Sequence, residues 1–221
     1  MKTYTKTLSD RLKFKFNNYE TIDKNFSQAC QDIFVLTMLN GKKNGTFVEI
    51  GAYHGQEISN TYLLEKKFNW TGISIDINDV NKSFSEHERK SKLVIQDALK
   101  INYDQLFSEN QFSNEIDYLQ LDIEPALNTL NCLKRIPFDK YKFFVITYET
   151  EAFYSSKEIK NESRKILKDH GYELIVGDVC NVGGDPYEDW YVHPDLVSKD
   201  IINIIKNSEN SNLTSDKILL N

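Results

Sequence analysis

The chain has 221 residues, a net charge of −6, 40% apolar and 12% aromatic residues. That length suits one domain with a real core, and that apolar fraction excludes a disordered chain. The negative balance leaves no basic footprint for a phosphate backbone, so nucleic acid is not an expected partner.

The opening stretch, "MKTYTKTLSDRLKFKF", lacks the apolar core of a signal peptide. No run approaches the ~20 apolar residues of a membrane span, and the expected location is the cytoplasm. Ser27 is a candidate cap for a helix over "QACQDIFVLTMLNG", with Phe26, Cys30, Ile33, Phe34 and Met38 along one core-facing stripe. Short β-rich runs follow at 46–52, 71–77, 92–98, 116–123 and 142–149, mostly apolar on both faces, as in parallel strands covered on each side. Helices are expected between them. Ser59 is placed to cap "NTYLLEKKF", Pro125 suits a first turn before "ALNTLNCLKR", and "SSKEIKNESRKILKDHG" stops at Gly171. Two further runs, 172–179 and 189–195, are separated only by the Gly/Pro loop "CNVGGDPYE", so they pair antiparallel. The pattern predicts a three-layer α/β fold. Residues 199–221 read as a terminal helix or a frayed tail. Cys30, Cys132 and Cys180 are odd in number and lack metal-ligand spacing, and read as buried small hydrophobes in a reducing compartment.

Glu49, Asp76, Asp97, Asp122 and Glu149 each fall at or near a strand's carboxyl end. In a parallel sheet those ends share the edge where ligands bind. So many carboxylates together demand hydrogen bonds, helix N-termini or a cation. The loop after the first strand, "FVEIGAYHGQ" (47–56), looks like a phosphate-binding glycine loop, yet Tyr53 stands between Gly51 and Gly55 where a dinucleotide fingerprint needs glycine. A diphosphate, and with it a nicotinamide cofactor, fits poorly there, and Glu49 favours a cation. S-adenosylmethionine has a sulfonium, an ammonium and no phosphate. Asp76, 21 residues past Gly55, is placed for its ribose hydroxyls, and Asp97 with Ala98 for its adenine amino group.

Further blocks carry a resemblance: "FSQACQD" (26–32), "FVEIGAYHGQEISNTYLLEKKFNWTGISID" (47–76), "IDYLQLDIE" (116–124), "FFVITYE" (143–149) and "YEDWYVHP" (187–194). Ser59-Asn60-Thr61, then Leu64-Glu65 and Trp70-x-Gly72, are the most specific part. The chain resembles the FkbM-type methyltransferases over roughly residues 26–197. That resemblance implies a Rossmann-like class I methyltransferase fold with a mostly parallel seven-stranded sheet and a terminal antiparallel hairpin. Residues 1–198 then form one methyltransferase domain, with 1–44 an N-terminal arm and helix and 45–198 the α/β core. It implies methylation of hydroxyl groups on sugars, glycans or small metabolites. The cofactor-binding residues expected are Glu49, Gly51, Tyr53, Gly55, Ser59, Asn60, Asp76, Asp97, Ala98 and Asp122. Two positions depart from the family pattern: Pro125 replaces a glycine, and Thr150-Glu151 replace His-Asp.

A hydroxyl acceptor needs its proton removed by a base or a metal. Asp122 and Glu149, at the fourth and fifth strand ends, are the candidates for either role, with Mg²⁺ the metal such hard ligands suit. His193 is a third candidate base; it also reads as a structural histidine. His54 reads as a local hydrogen-bonding residue of the loop, and His87 and His170 as surface helix residues. Trp190 and Tyr191 are read either as a stacking platform for a sugar, with Asp185 and Glu188 taking its hydroxyls, or as core. Methylation of an amine or a protein, and a degenerate cofactor-binding module without catalysis, are the competing functions.

Overall fold

A computed structural model describes residues 7–206 and 211–221 of the chain. The first few residues of the N-terminal arm and part of the 199–221 tail lie outside the described residues.

Seven strands form one sheet: β1 (Thr46–Ile50), β2 (Thr71–Asp76), β3 (Lys92–Ile95), β4 (Glu115–Leu121), β5 (Lys142–Glu149), β6 (Glu173–Cys180) and β7 (Pro186–Val192). Their order is β3-β2-β1-β4-β5-β7-β6, with the first five parallel and β7 antiparallel to both neighbours. Strand β7 begins and ends three residues before the expected 189–195, because the turn after β6 is shorter than its Gly/Pro composition implied.

The interleaved helices are α1 (Leu8–Arg11), α2 (Gln31–Met38), α3 (Tyr62–Phe68), α4 (Asn81–Glu86), α5 (Tyr103–Glu109), α6 (Ala126–Leu133), α7 (Lys157–Asp169), α8 (Lys199–Lys206) and α9 (Ser215–Leu219). One sheet face carries Phe47, Tyr118, Val145 and Trp190 against apolar residues of α2, α3, α8 and α9. The other carries Val48, Ile75, Leu119 and Ile146 against α5, α6 and α7. This is a three-layer sandwich with a core on each side of the sheet.

Three expectations change. Ser27 does not directly precede α2, which starts at Gln31; its hydroxyl reaches the first turn from a distance, donating to Asp32 Oδ1 at 2.6 Å and accepting the Asp32 N–H at 3.4 Å. All eight residues of α2 are buried, so the helix is enclosed on every side rather than along one stripe. The described end of the tail, 211–221, is not frayed. Ile218, Leu219 and Leu220 are buried, Lys13 donates its backbone N–H to Leu219 at 2.9 Å, and Asn221 donates to Arg11 at 2.6 Å. Ser59 and Ser156 do serve helix starts, accepting from the N–H groups of Tyr62 and Ile159. The three cysteines are buried and unpaired.

The sheet order reverses between β1 and β4, which run side by side although their chain neighbours diverge to opposite flanks. In sheets of this kind the crevice outside the carboxyl ends of the strands at such a point is where ligands bind.

Candidate active site

The crevice is shaped first by Gly51. Its φ is +92°, and a Cβ there would lie 1.7 Å from the carbonyl oxygen of Asp122, so no side chain fits where β1 meets β4. Tyr53 follows in the left-handed region at φ +49°, an unusual place for a bulky residue. Its N–H donates to Asp76 Oδ2 at 2.8 Å, and Asn78 donates to Oδ1 at 2.7 Å, so Asp76 ties the loops after β1 and β2 together. Each oxygen retains further acceptor capacity. Gly55 lies against α4, donating to Ser83 Oγ at 2.8 Å. His54 accepts from the N–H groups of Gln56 and Glu57, the local bonding expected of it.

Beneath this loop lies Arg89, whose guanidinium is wholly buried. It donates to Glu65 at 3.0 Å, to Gly55 O at 3.1 Å, to Ser59 Oγ at 3.3 Å, to Thr61 Oγ1 at 2.7 Å and to Ser91 Oγ at 3.4 Å. Those bonds fix the glycine loop, the Ser59–Thr61 turn and β3's entry to one another. Sequence reasoning missed Arg89, because it sits in the polar run "SEHERKSK", which reads as solvated surface.

Glu49 is corrected by this arrangement. Rather than facing a ligand, its buried carboxylate accepts from Ser74 Oγ at 2.8 Å and stands 3.9 Å from Arg89. Burial raises its pKa, with Arg89 and Ser74 acting the other way. The cation it favours is an internal one. Asn60 is buried next to Ser59, and its Oδ1 has no partner. Asp97 caps the turn containing Ala98 through Leu99 N–H at 2.9 Å, and that bond followed by Lys100 holds its carboxyl below the usual range. Asp97 remains partly exposed at the edge, beside buried Ala98.

On the other side of Gly51, the fourth and fifth strands bring the carboxyl groups of Asp122 and Glu149 close enough to shift each other's titration. Burial pushes Glu149 up to about 11, and the neighbouring Asp122 adds to that rise. Burial also raises Asp122, while the neighbouring Glu149 lowers it. Glu149 pairs across the β5–β7 ladder with Glu188, so a third acid joins them. Glu188 is buried and accepts from Gln31 at 3.0 Å and Trp190 at 2.9 Å, both on Oε2; burial pushes it up to about 8. Glu149 Oε2 and Gln120 Nε2 are buried without partners. Gln120 precedes Asp122 by two on the same face, and its Oε1 accepts from Ile50 N–H at 3.1 Å. Gln31 and Gln120 also escaped notice, although each interrupts an apolar run, and that interruption is the signal they offered.

His193 does not join the site. Strand β7 runs antiparallel, which carries its end to the opposite edge of the sheet, where His193 N–H donates to Phe144 O at 2.9 Å and its ring packs on Tyr172. Trp190 is core, stacked on Phe34 with ring centroids 4.5 Å apart, and Tyr191 is buried with its hydroxyl on Asp189. Neither is a platform for a sugar. Thr150 is buried, and burial raises the Glu151 carboxyl against the opposing effect of the Ala126 N–H at the start of α6.

The carboxylates of Asp76 and Asp97 and the unpartnered oxygens of Asn60 and Glu149 are acceptors that suit the hydroxyl, amino and ammonium groups of S-adenosylmethionine. For Mg²⁺ there is no such support: among the described residues no group of three or more His, Cys, Asp or Glu is arranged to hold a metal ion.

No protein-family model matches the chain, and no curated protein matches it. Solved structures do. An rRNA methylase from Streptococcus thermophilus is 9% identical, over 73% of this chain and 93% of that one, with a TM-score of 0.46. The N-methyltransferase NodS from Bradyrhizobium japonicum WM9, in complex with S-adenosyl-l-homocysteine, is 10% identical over 74% of this chain and 85% of that one, TM-score 0.45. The structure of PH0851 is 14% identical over 77% of this chain and 45% of that one, TM-score 0.50. These are likenesses of fold. The chain has the Rossmann-like fold of the class I S-adenosylmethionine-dependent methyltransferases, and its strand order is the direct observation of that.

Proposed function

We propose that this chain is an S-adenosylmethionine-dependent methyltransferase acting on a hydroxyl group of a small organic acceptor. The observation that carries the reading is the Asp122–Glu149 pair beside the switch-point crevice, with an unpartnered Glu149 oxygen. When bound, the cofactor supplies an electrophilic methyl group. Gly51 lets β1 and β4 close on each other beneath it, Asp76 offers carboxylate oxygens to ribose hydroxyls, and Asp97 offers one to the adenine amino group. Asp122 accepts the acceptor's proton, and the neighbouring Glu149 offsets the effect of burial on it. Alignment of acceptor and methyl supplies much of the remaining acceleration.

The net charge of −6 and the acidic edge support a small-molecule or glycan acceptor over a nucleic acid. No helix of the described residues is long and apolar enough to cross a membrane. Calorimetry with S-adenosylmethionine, S-adenosylhomocysteine and NAD tests the cofactor. Binding of the first two but not NAD is expected, with Asp76→Ala losing it. Absence of binding, or an unchanged Asp76→Ala, overturns the reading. Binding without methylation of any hydroxyl acceptor instead identifies a degenerate cofactor-binding module.

A further inference from the structure

A single register row crosses the sheet at the level of Glu49. Ser74 on β2 pairs with Glu49 on β1, Glu49 with Gln120 on β4, Gln120 with Thr147 on β5, and Thr147 with Trp190 on β7. These side chains share the sheet face covered by α2, because their chain neighbours supply the apolar residues of the opposite face. Most of the row is satisfied within the protein. Ser74 Oγ donates to Glu49 at 2.8 Å, and Glu49 stands 3.9 Å from Arg89. Thr147 Oγ1 shares a 2.7 Å hydrogen bond with Tyr118 OH, and Trp190 Nε1 donates to Glu188 at 2.9 Å.

Gln120 is the exception. It is 1% exposed, its Oε1 accepts the Ile50 N–H at 3.1 Å, and its Nε2 has no partner. The Ile50 N–H fixes which end of the amide is oxygen, so the free end is nitrogen and can only donate. A buried donor left unpaired is costly, and this one calls for an acceptor that the protein does not supply.

The amide leans on Ile50, the residue before Gly51, and so belongs to the β1 side of the site rather than to the Glu149 side. The acid beside it there, Glu49, is already matched by Arg89, so an anionic group meets an internally neutralised pair. The same guanidinium leads to an unspent acceptor. Arg89 Nη2 donates to Thr61 Oγ1 at 2.7 Å, and Asn60, the residue before Thr61, is buried with its Oδ1 unpartnered. A buried donor and a buried acceptor, each without a protein partner, are thus joined through Glu49 and Arg89.

The amino-acid end of S-adenosylmethionine carries a carboxylate and an ammonium on one carbon, the complement of that donor and acceptor. We infer that Gln120 Nε2 donates to the carboxylate of the bound cofactor and that Asn60 Oδ1 accepts from its ammonium. This rests on the methyltransferase reading and assigns the amino-acid end of its cofactor. It also accounts for a glutamine interrupting the apolar run of β4. Leucine at 120 would neither accept from Ile50 nor donate, and glutamate would accept without donating.

Calorimetry on the full chain with three ligands tests the assignment. They are S-adenosylhomocysteine, its decarboxylated analogue, which keeps the amine, and 5′-methylthioadenosine, which lacks both groups. The unmodified chain should bind S-adenosylhomocysteine at least about tenfold more tightly than the decarboxylated analogue. Gln120→Leu should weaken S-adenosylhomocysteine about ten- to hundredfold, the range of a hydrogen bond to a charged group, and leave the other two within about threefold. Gln120→Glu keeps an oxygen for the Ile50 N–H and should show the same selective loss, so a folding defect in the leucine variant does not decide the question. Asn60→Ala should weaken S-adenosylhomocysteine and the decarboxylated analogue alike and spare 5′-methylthioadenosine. Equal binding of S-adenosylhomocysteine and its decarboxylated analogue by the unmodified chain overturns the assignment while the methyltransferase reading stands. So does a loss in the Gln120 variants that is the same for all three ligands, or an unchanged affinity for S-adenosylhomocysteine. Failure of the unmodified chain to bind any of the three overturns both.

Discussion

Asp122 and Glu149 differ in role although both are carboxyl groups at strand ends. Burial and the adjoining acid both disfavour ionisation of Glu149, whereas for Asp122 the neighbouring Glu149 offsets burial, which makes Asp122 the better proton acceptor of the two. Asp122→Asn should therefore lower kcat about 10²-fold or more while S-adenosylhomocysteine affinity stays within about tenfold, as read by steady-state kinetics and calorimetry. In the unmodified protein kcat/KM should rise with pH. A base works when deprotonated, and its raised pKa moves that limb above the ordinary carboxylate range. Glu188 makes a separate prediction about stability. Its carboxyl, pushed up to about 8 in the folded state, keeps a proton that the unfolded chain has released. Its contribution is thus complete below the unfolded value of 4.5 and lost as pH rises through about 8. Denaturant unfolding should show stability falling across that window by at most about 1.4 kcal/mol per pH unit from this group. Glu188→Gln keeps an oxygen for both Gln31 and Trp190, which share Oε2, and should flatten the slope.

At the scale of elements, the loop after β1 holds its form through Arg89 rather than through glycine alone. Removing that guanidinium leaves Glu49 and Glu65 buried without their cation. Arg89→Met should cost about 3–5 kcal/mol in denaturant unfolding. Gly51→Ala acts differently, forcing a Cβ onto the Asp122 carbonyl where β1 meets β4; it should abolish S-adenosylmethionine binding in calorimetry. The alternation of strands and helices was legible because apolar runs bounded by Gly, Pro and caps carry their own periodicity. Asp76, Asp97, Asp122 and Glu149 were legible as strand-end acids for the same reason. Arg89 was not, since nothing in "SEHERKSK" tells a buried hub from a solvated face. Nor was the fate of Glu49, whose partner lies 40 residues away in the chain.

For the whole molecule, the tail and the N-terminal arm close one side of the sheet together. Deleting residues 213–221 removes three buried apolar side chains, Ile218, Leu219 and Leu220, from contact with the arm. The loss should exceed about 4 kcal/mol, seen as a lower midpoint in thermal unfolding. The same antiparallel hairpin that closes the sheet decides which residues can share a site. From sequence, His193 and the aromatic pair Trp190-Tyr191 lay within a few residues of Glu188. In three dimensions the reversed direction of β7 sends His193 to the far edge, while strand alternation and the α2 packing turn Trp190 into the core. The amino-acid sequence alone determined the α/β layering, the parallel strands and the acids at their ends, because these follow from local periodicity and turn chemistry. Only the tertiary structure decided which acids face the crevice and which are neutralised from within, because those depend on strand direction and on partners far apart in the chain.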